Sequence, residues 1–199
     1  MYINEKLSKY VSDLAARQPT PGGGSAAALV GTLGIALLEM ACNFTAGNKK
    51  YRNVENAINK HLAALGKIRE EFMALVDEDV KVYSDICSAF KTKDEKIINN
   101  SLKQGYRVSL KMCGLARFGA VIASDLAEKS NVNLITDIGC GSELLKASFD
   151  SGVFNARINL KGIKDASFVE KERLVLAALK KEISDLHKKA ISKVNERMA

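Results

Sequence analysis

Both prolines of this 199-residue chain lie at positions 19 and 21, and none occurs from residue 22 to the end. Proline breaks helices because it lacks an amide donor and clashes with the preceding turn. A long proline-free tract, rich in Ala, Leu, Lys and Glu, lets helices run at length. The apolar residues agree, recurring at helical spacing. Ile58, Leu62, Leu65, Ile68, Phe72, Leu75, Val76, Val82, Tyr83 and Ile86 mark one long stripe. Such patterns predict helices over about 3–16, 25–46, 53–90, 94–129, 137–160 and 167–194, with N-caps at Ser25 and Asp94. Residues 129–136 read as a loop, and no segment alternates as a strand would. The expected fold is all-α, one domain over residues 1–199, an antiparallel bundle of about six helices with one buried apolar helix.

That apolar helix covers Ala26 to Phe44, about the length needed to cross a bilayer. Glu39 interrupts it and no second segment matches it, so it is expected at the centre of a bundle and not in a membrane. Gly31 and Gly34 within it each cost about 1 kcal/mol of helix propensity, which close approach of another helix would offset. The net charge of +7 comes from scattered lysines, and the densest cluster, "NKKYR" at 48–52, has one aromatic and no repeat of the pattern. It suggests a solvated basic surface or an anionic small molecule rather than nucleic acid. Cys42, Cys87, Cys113 and Cys140 lie far apart, without metal-ligand spacing. With a charged amphipathic N-terminus, this leads to the expectation of a reduced, cytoplasmic protein with no metal site.

The segment "QPTPGGGSAAALVGTLG", residues 18–34, offers the glycine spacing of a dinucleotide-binding loop. A helix rather than a strand precedes it, which removes that reading. The remaining alternatives are a plain turn and a helix N-terminus whose bare N–H groups face a carboxylate or phosphate. "NLITDIGCGSELL", residues 133–145, looks like the first motif of class I methyltransferases, but Glu143 stands at its third glycine position and no β-α alternation surrounds it. In "VDEDVKVY", residues 76–83, Asp79 falls on the face shared by Phe72 and Ile86. A carboxylate there is either paired with a lysine or held at a raised pKa suited to proton transfer. Asn43, Asp137, Asn155 and Asn159 add polar groups in helical surroundings, with Asn155 and Asn159 one turn apart on one face. His61 and His187 read as surface residues.

Three stretches together resemble the cyclodeaminase/cyclohydrolase family of tetrahydrofolate enzymes: residues 19–51, "LVDEDVKVYSDICSAFK" at 75–91, and residues 131–165. They occur in order across nearly the whole chain. The resemblance absorbs the methyltransferase-like stretch, because the family is similar there and carries the two asparagines at matching distances. Lys91-Thr92-Lys93 stands where relatives often have Leu-Pro, and a proline common near Ser109 is missing. The resemblance implies a helical homodimer that acts on folate with no cofactor beyond that substrate. It implies catalysis by Asp79, a substrate loop of Pro21, Gly22, Gly23, Gly24 and Ser25, and substrate contacts from Asn43, Asp137, Asn155 and Asn159. Lys49 and Lys50, with Arg52, would meet the glutamate tail of the substrate, polyglutamylated or not. The two activities implied are methenyltetrahydrofolate cyclohydrolase and formimidoyltetrahydrofolate cyclodeaminase. A non-catalytic folate- or anion-binding module is the alternative of a different kind.

Overall fold

The computed structural model describes residues 1–199. It contains no strand and six α-helices: α1 (Leu7–Ala15), α2 (Gly23–Thr45), α3 (Glu55–Thr92), α4 (Glu95–Lys129), α5 (Ile135–Gly162) and α6 (Ala166–Met198). Short 3₁₀ turns at Tyr2–Asn4, Lys49–Val54 and Val132–Leu134 fill the joints, so the expected loop before α5 is partly helical. Lys93, in the left-handed conformation, ends α3. Asp94 then caps α4, as its sequence predicts, accepting from the N–H groups of Lys96 and Ile97. These tight connections fold α2 to α5 into an up-and-down four-helix bundle, and α6 covers the groove between α4 and α5.

Small residues set how closely these helices approach. A Cβ at Gly31 would lie 2.4 Å from the ring of Phe72 on α3, and Gly34 and Gly141 each face the other's carbonyl oxygen across the α2–α5 contact. The propensity lost at these glycines is therefore offset by packing between helices. Phe72, Leu75, Tyr106, Phe149 and Leu38 fill the interior, each worth roughly 1.5–3 kcal/mol on burial. Glu39, inside the apolar helix, is paired with Arg69 of α3 at 2.5 Å. His61 is not a free surface residue: its Nε2 lies 2.8 Å from Asp125, which joins α3 to α4.

Two further expectations need correction. α2 begins at Gly23 with Gly22 as N-cap, so Ser25 is an interior residue of its first turn and not its cap. The apolar helix is not enclosed all round by its own chain. Half of its most apolar window is buried, while Leu33 is 51% and Phe44 60% exposed. In α1 only Tyr10 is buried, leaving Leu7, Val11 and Leu14 on the surface.

The packing predicts opposite signs at two helical glycines. Gly31→Ala pushes a methyl group into Phe72 and should cost about 1–3 kcal/mol. Gly114→Ala, with nothing within 4 Å, should gain about 0.5–1 kcal/mol. Urea unfolding midpoints measure both.

Candidate active site

The N-terminus of α2 stops against α3, and one carboxylate makes the junction. Asp79 Oδ2 accepts the N–H of Ser25 at 2.9 Å, which caps α2 from another helix. Gly24 is what lets it approach, since a Cβ there would lie 2.0 Å from Asp79 Oδ1. Ser25 turns inward: its hydroxyl donates to the carbonyl of Val76 at 2.8 Å and lies 3.1 Å from the Tyr10 hydroxyl. Asp77, two residues before Asp79, accepts the N–H groups of Tyr2 and Ile3 and fastens the N-terminal segment to α3. The loop between α1 and α2 has a cis Thr20–Pro21 peptide, with Pro21 buried behind the glycines.

Above this junction lies a pocket of about 400 Å³ between the glycine loop, α3, the first turns of α4 and the last turns of α5. Asp79 is the one charged residue among the 16 that line it. Burial pushes its carboxyl above the ordinary carboxylate range, and the Ser25 N–H works in the opposite direction. Oδ1 lies against bare Gly24 and accepts no protein hydrogen bond, so the carboxylate at the pocket wall keeps a free acceptor. Asn155 and Asn159 line the opposite wall. Their NH₂ groups donate to the carbonyls of Ser151 and Asn155, each at 2.9 Å, which leaves both side-chain oxygens as acceptors. On the loop side the N–H groups of Gly23 and Gly24 precede the helical ladder and meet no side-chain cap. Tyr83, Ile86, Phe90 and Ile158 supply an apolar and aromatic wall. The pocket thus suits a flat, donor-rich ring with a positive charge near Asp79.

The structure brings Gly22, Gly23, Gly24, Asp79, Asn155 and Asn159 together around one pocket, with Pro21 and Ser25 packed behind it. It does not bring Asn43, Lys49, Lys50 and Asp137 to that pocket within one chain. α2 and α5 are antiparallel, so the end of α2 with Asn43, the 3₁₀ turn with Lys49, Lys50 and Arg52, and the first turn of α5 with Asp137 gather at the opposite end. About 30 Å of α2 separates the two ends. Tyr83, Ile86 and Phe90 escaped sequence reasoning because they continue the apolar stripe of α3 and read as core. Their signal is that Asp79 lies on the same stripe, one, two and three turns before them. No group of three or more His, Cys, Asp or Glu residues stands together as a metal site.

Comparison with known proteins agrees with this geometry. The formiminotransferase-cyclodeaminase family matches residues 6–178. A methenyltetrahydrofolate cyclohydrolase of Methylorubrum extorquens is 32% identical over 98% of both chains. The formimidoyltransferase-cyclodeaminase of rat is 26% identical over 90% of this chain, which spans 35% of that longer protein. The crystal structure of a formiminotetrahydrofolate cyclodeaminase from Thermotoga maritima superposes with a TM-score of 0.96 over the full length of both chains, at 27% identity. A family match over most of the sequence, joined to full-length similarity in sequence and in structure, has one meaning: this chain belongs to the formiminotransferase-cyclodeaminase family.

Proposed function

We propose that the protein is a methenyltetrahydrofolate cyclohydrolase, which converts 5,10-methenyltetrahydrofolate and water to 10-formyltetrahydrofolate. The observation that carries this reading is a lone, partly buried carboxylate in a pocket otherwise without charge. The methenyl bridge is a delocalised amidinium cation, and a carboxylate in a low-dielectric pocket favours it and the transition state beside it. Water adds to the bridge carbon and gives a proton to Asp79. The C–N5 bond then opens as N5 takes that proton, and the new hydroxyl loses its own proton to solvent. The side-chain oxygens of Asn155 and Asn159 accept from the ring N–H and amino groups, and Tyr83 and Phe90 lie against the ring faces. The chemistry calls on no metal or redox cofactor.

A second reading rests on the likeness to the Thermotoga cyclodeaminase structure. In that direction N10 attacks the formimidoyl carbon of 5-formimidoyltetrahydrofolate and ammonia leaves, with Asp79 again moving the proton. Incubation with each folate separates the two: loss of methenyl absorbance for the first, ammonia release for the second.

A homodimer is part of the same proposal. The uncovered side of α2 and the neighbouring side of α5 expose Leu33, Phe44, Phe154 and Ile158, an apolar face of the kind that marks an interface. A second copy of the chain is its occupant, through an isologous contact. With the two-fold axis running across α2, each chain's Asn43, Lys49, Lys50 and Asp137 would approach its partner's Asp79 pocket. Those four residues would then serve the substrate from the partner side, in a cytoplasmic enzyme.

Asp79→Asn keeps an oxygen for the Ser25 N–H and should fold normally, yet lose at least 10²-fold in kcat. Asp79→Ala loses the cap as well and should drop stability by about 1 kcal/mol. The raised carboxyl fixes the sign with pH. The folded protein holds this proton where the unfolded chain has already lost it, so the contribution to stability is full at low pH and disappears as pH rises through the raised value. Asp79→Asn should abolish that loss. As a base Asp79 works ionised, so kcat/KM should fall on the acid side with an apparent pKa above the usual carboxylate range. Gly23→Val, at a position with nothing within 4 Å, should raise KM without lowering the melting temperature; an unchanged KM would reduce the loop to a turn. Leu33→Lys should convert a sedimenting dimer to monomer.

A further inference from the structure

Ser25 lies behind the Asp79 pocket and not in it: it is fully buried and lines no part of the cavity. Its hydroxyl is nonetheless engaged on two sides. A hydroxyl carries one proton, and Ser25 Oγ gives it to the Val76 carbonyl at 2.8 Å. The Tyr10 hydroxyl, 3.1 Å away and almost fully buried, is therefore the donor to Ser25 Oγ. Burial holds the Tyr10 phenol above its ordinary range, against the pull of the Ser25 contact, so Tyr10 keeps the proton that it donates. Ser25 also gives its backbone N–H to Asp79 Oδ2 at 2.9 Å. Val76 and Asp79 are three residues apart, about one turn of α3. Ser25 thus grips that helix at two successive turns, once through its side chain and once through its backbone.

We propose that Ser25 is a positioning residue for Asp79: its hydroxyl, held on Val76, keeps the Ser25 N–H on the catalytic carboxylate. This role rests on the reading of Asp79 as the group that moves the proton. One bond alone would let the first turn of α2 pivot or slide along α3, because no side chain of its own caps that turn. The second grip removes both motions. Its consequence is chemical as well as geometric. Burial raises the Asp79 carboxyl and the Ser25 N–H is the contact that lowers it, so the share of ionised base at a given pH depends on that N–H staying in place. No cation faces the carboxylate to do this instead. The titratable groups around it are Tyr10 of α1 with Asp77 and Tyr83 of α3, while α2, α4 and α5 present only uncharged residues to the pocket.

The test compares Ser25→Ala and Ser25→Cys with the wild type, each well below its melting transition. Ser25→Ala keeps the N–H but frees it from Val76. On methenyltetrahydrofolate its kcat should fall about tenfold with KM unchanged, and the acid limb of kcat/KM should move to higher pH. Ser25→Cys, whose thiol is a weaker donor of similar shape, should recover part of the lost kcat and part of the displaced limb. A lower melting temperature with the wild-type kcat and pH profile would reduce Ser25 to a packing residue and overturn the proposal. A raised KM with kcat unchanged would make Ser25 a substrate contact and overturn it equally. Titration of the Asp79 carboxyl carbon by NMR needs no turnover and so separates this role from the reaction. In Ser25→Ala that titration should move to higher pH, and an unmoved titration sinks the proposal even where activity falls. A moved titration in a protein whose Asp79→Asn variant stays fully active upholds the grip on Asp79 and refutes only the reaction assigned to it.

Discussion

One hydrogen bond, from the Ser25 N–H to Asp79 Oδ2, sits where fold and chemistry meet. It ends α2 against α3, and with Gly24 it leaves room only for a carboxylate pressed onto bare backbone. Everything nearby follows from that junction. Ser25 is turned inward to Val76 and Tyr10, and the second carboxylate oxygen is left against Gly24 without a protein donor. A local cap from Ser25 itself would have satisfied the helix but left α3 unattached. A cap from α3 satisfies the same donor while fixing a reactive group in place.

Charge is sorted across the molecule in a way that matches the reaction read from the site. The Asp79 pocket has one negative group, two amide oxygens and aromatic walls, surroundings that favour a cation. The positive charge that makes the whole chain basic lies elsewhere, in part as the unpaired Arg157, Lys161, Arg173 and Lys180 on α5 and α6. A folate is itself divided in this way, a flat polar ring at one end and carboxylates at the other.

Much of the fold was legible because helices declare themselves through spacing. The stripe from Ile58 to Ile86, the Asp94 cap and the costly glycines of α2 each carried local information that the bundle confirms. The glycine-rich loop, Asp79 and the Asn155–Asn159 pair were legible too, as a polar group on an apolar stripe and two amides one turn apart. What escaped depends on partners distant in sequence. Ser25 read as a cap because its competitor, Asp79, is 54 residues away. Tyr83, Ile86 and Phe90 read as core because periodicity reports a face but not what covers it. Asn43, Lys49 and Asp137 were grouped with the site by resemblance, whereas the antiparallel α2–α5 pairing carries them to the far end of the chain. The apolar side of α2 read as buried for the same reason: hydropathy cannot tell a core from an interface.

The fastening of the N-terminal segment to Asp77, and of the glycine loop to Asp79, bears on how the protein is made. Tyr2 waits 75 residues for its partner and Ser25 waits 54, while Ala27 accepts from Ser148 only 121 residues later. During synthesis the first quarter of the chain therefore emerges well before its partners, with an apolar helix among the exposed material. Long-range closure of this kind is slow for an all-helical protein. The pocket in particular is complete only once Gly162 has been added, so a shortened chain could retain most of its helices and still have no site at all.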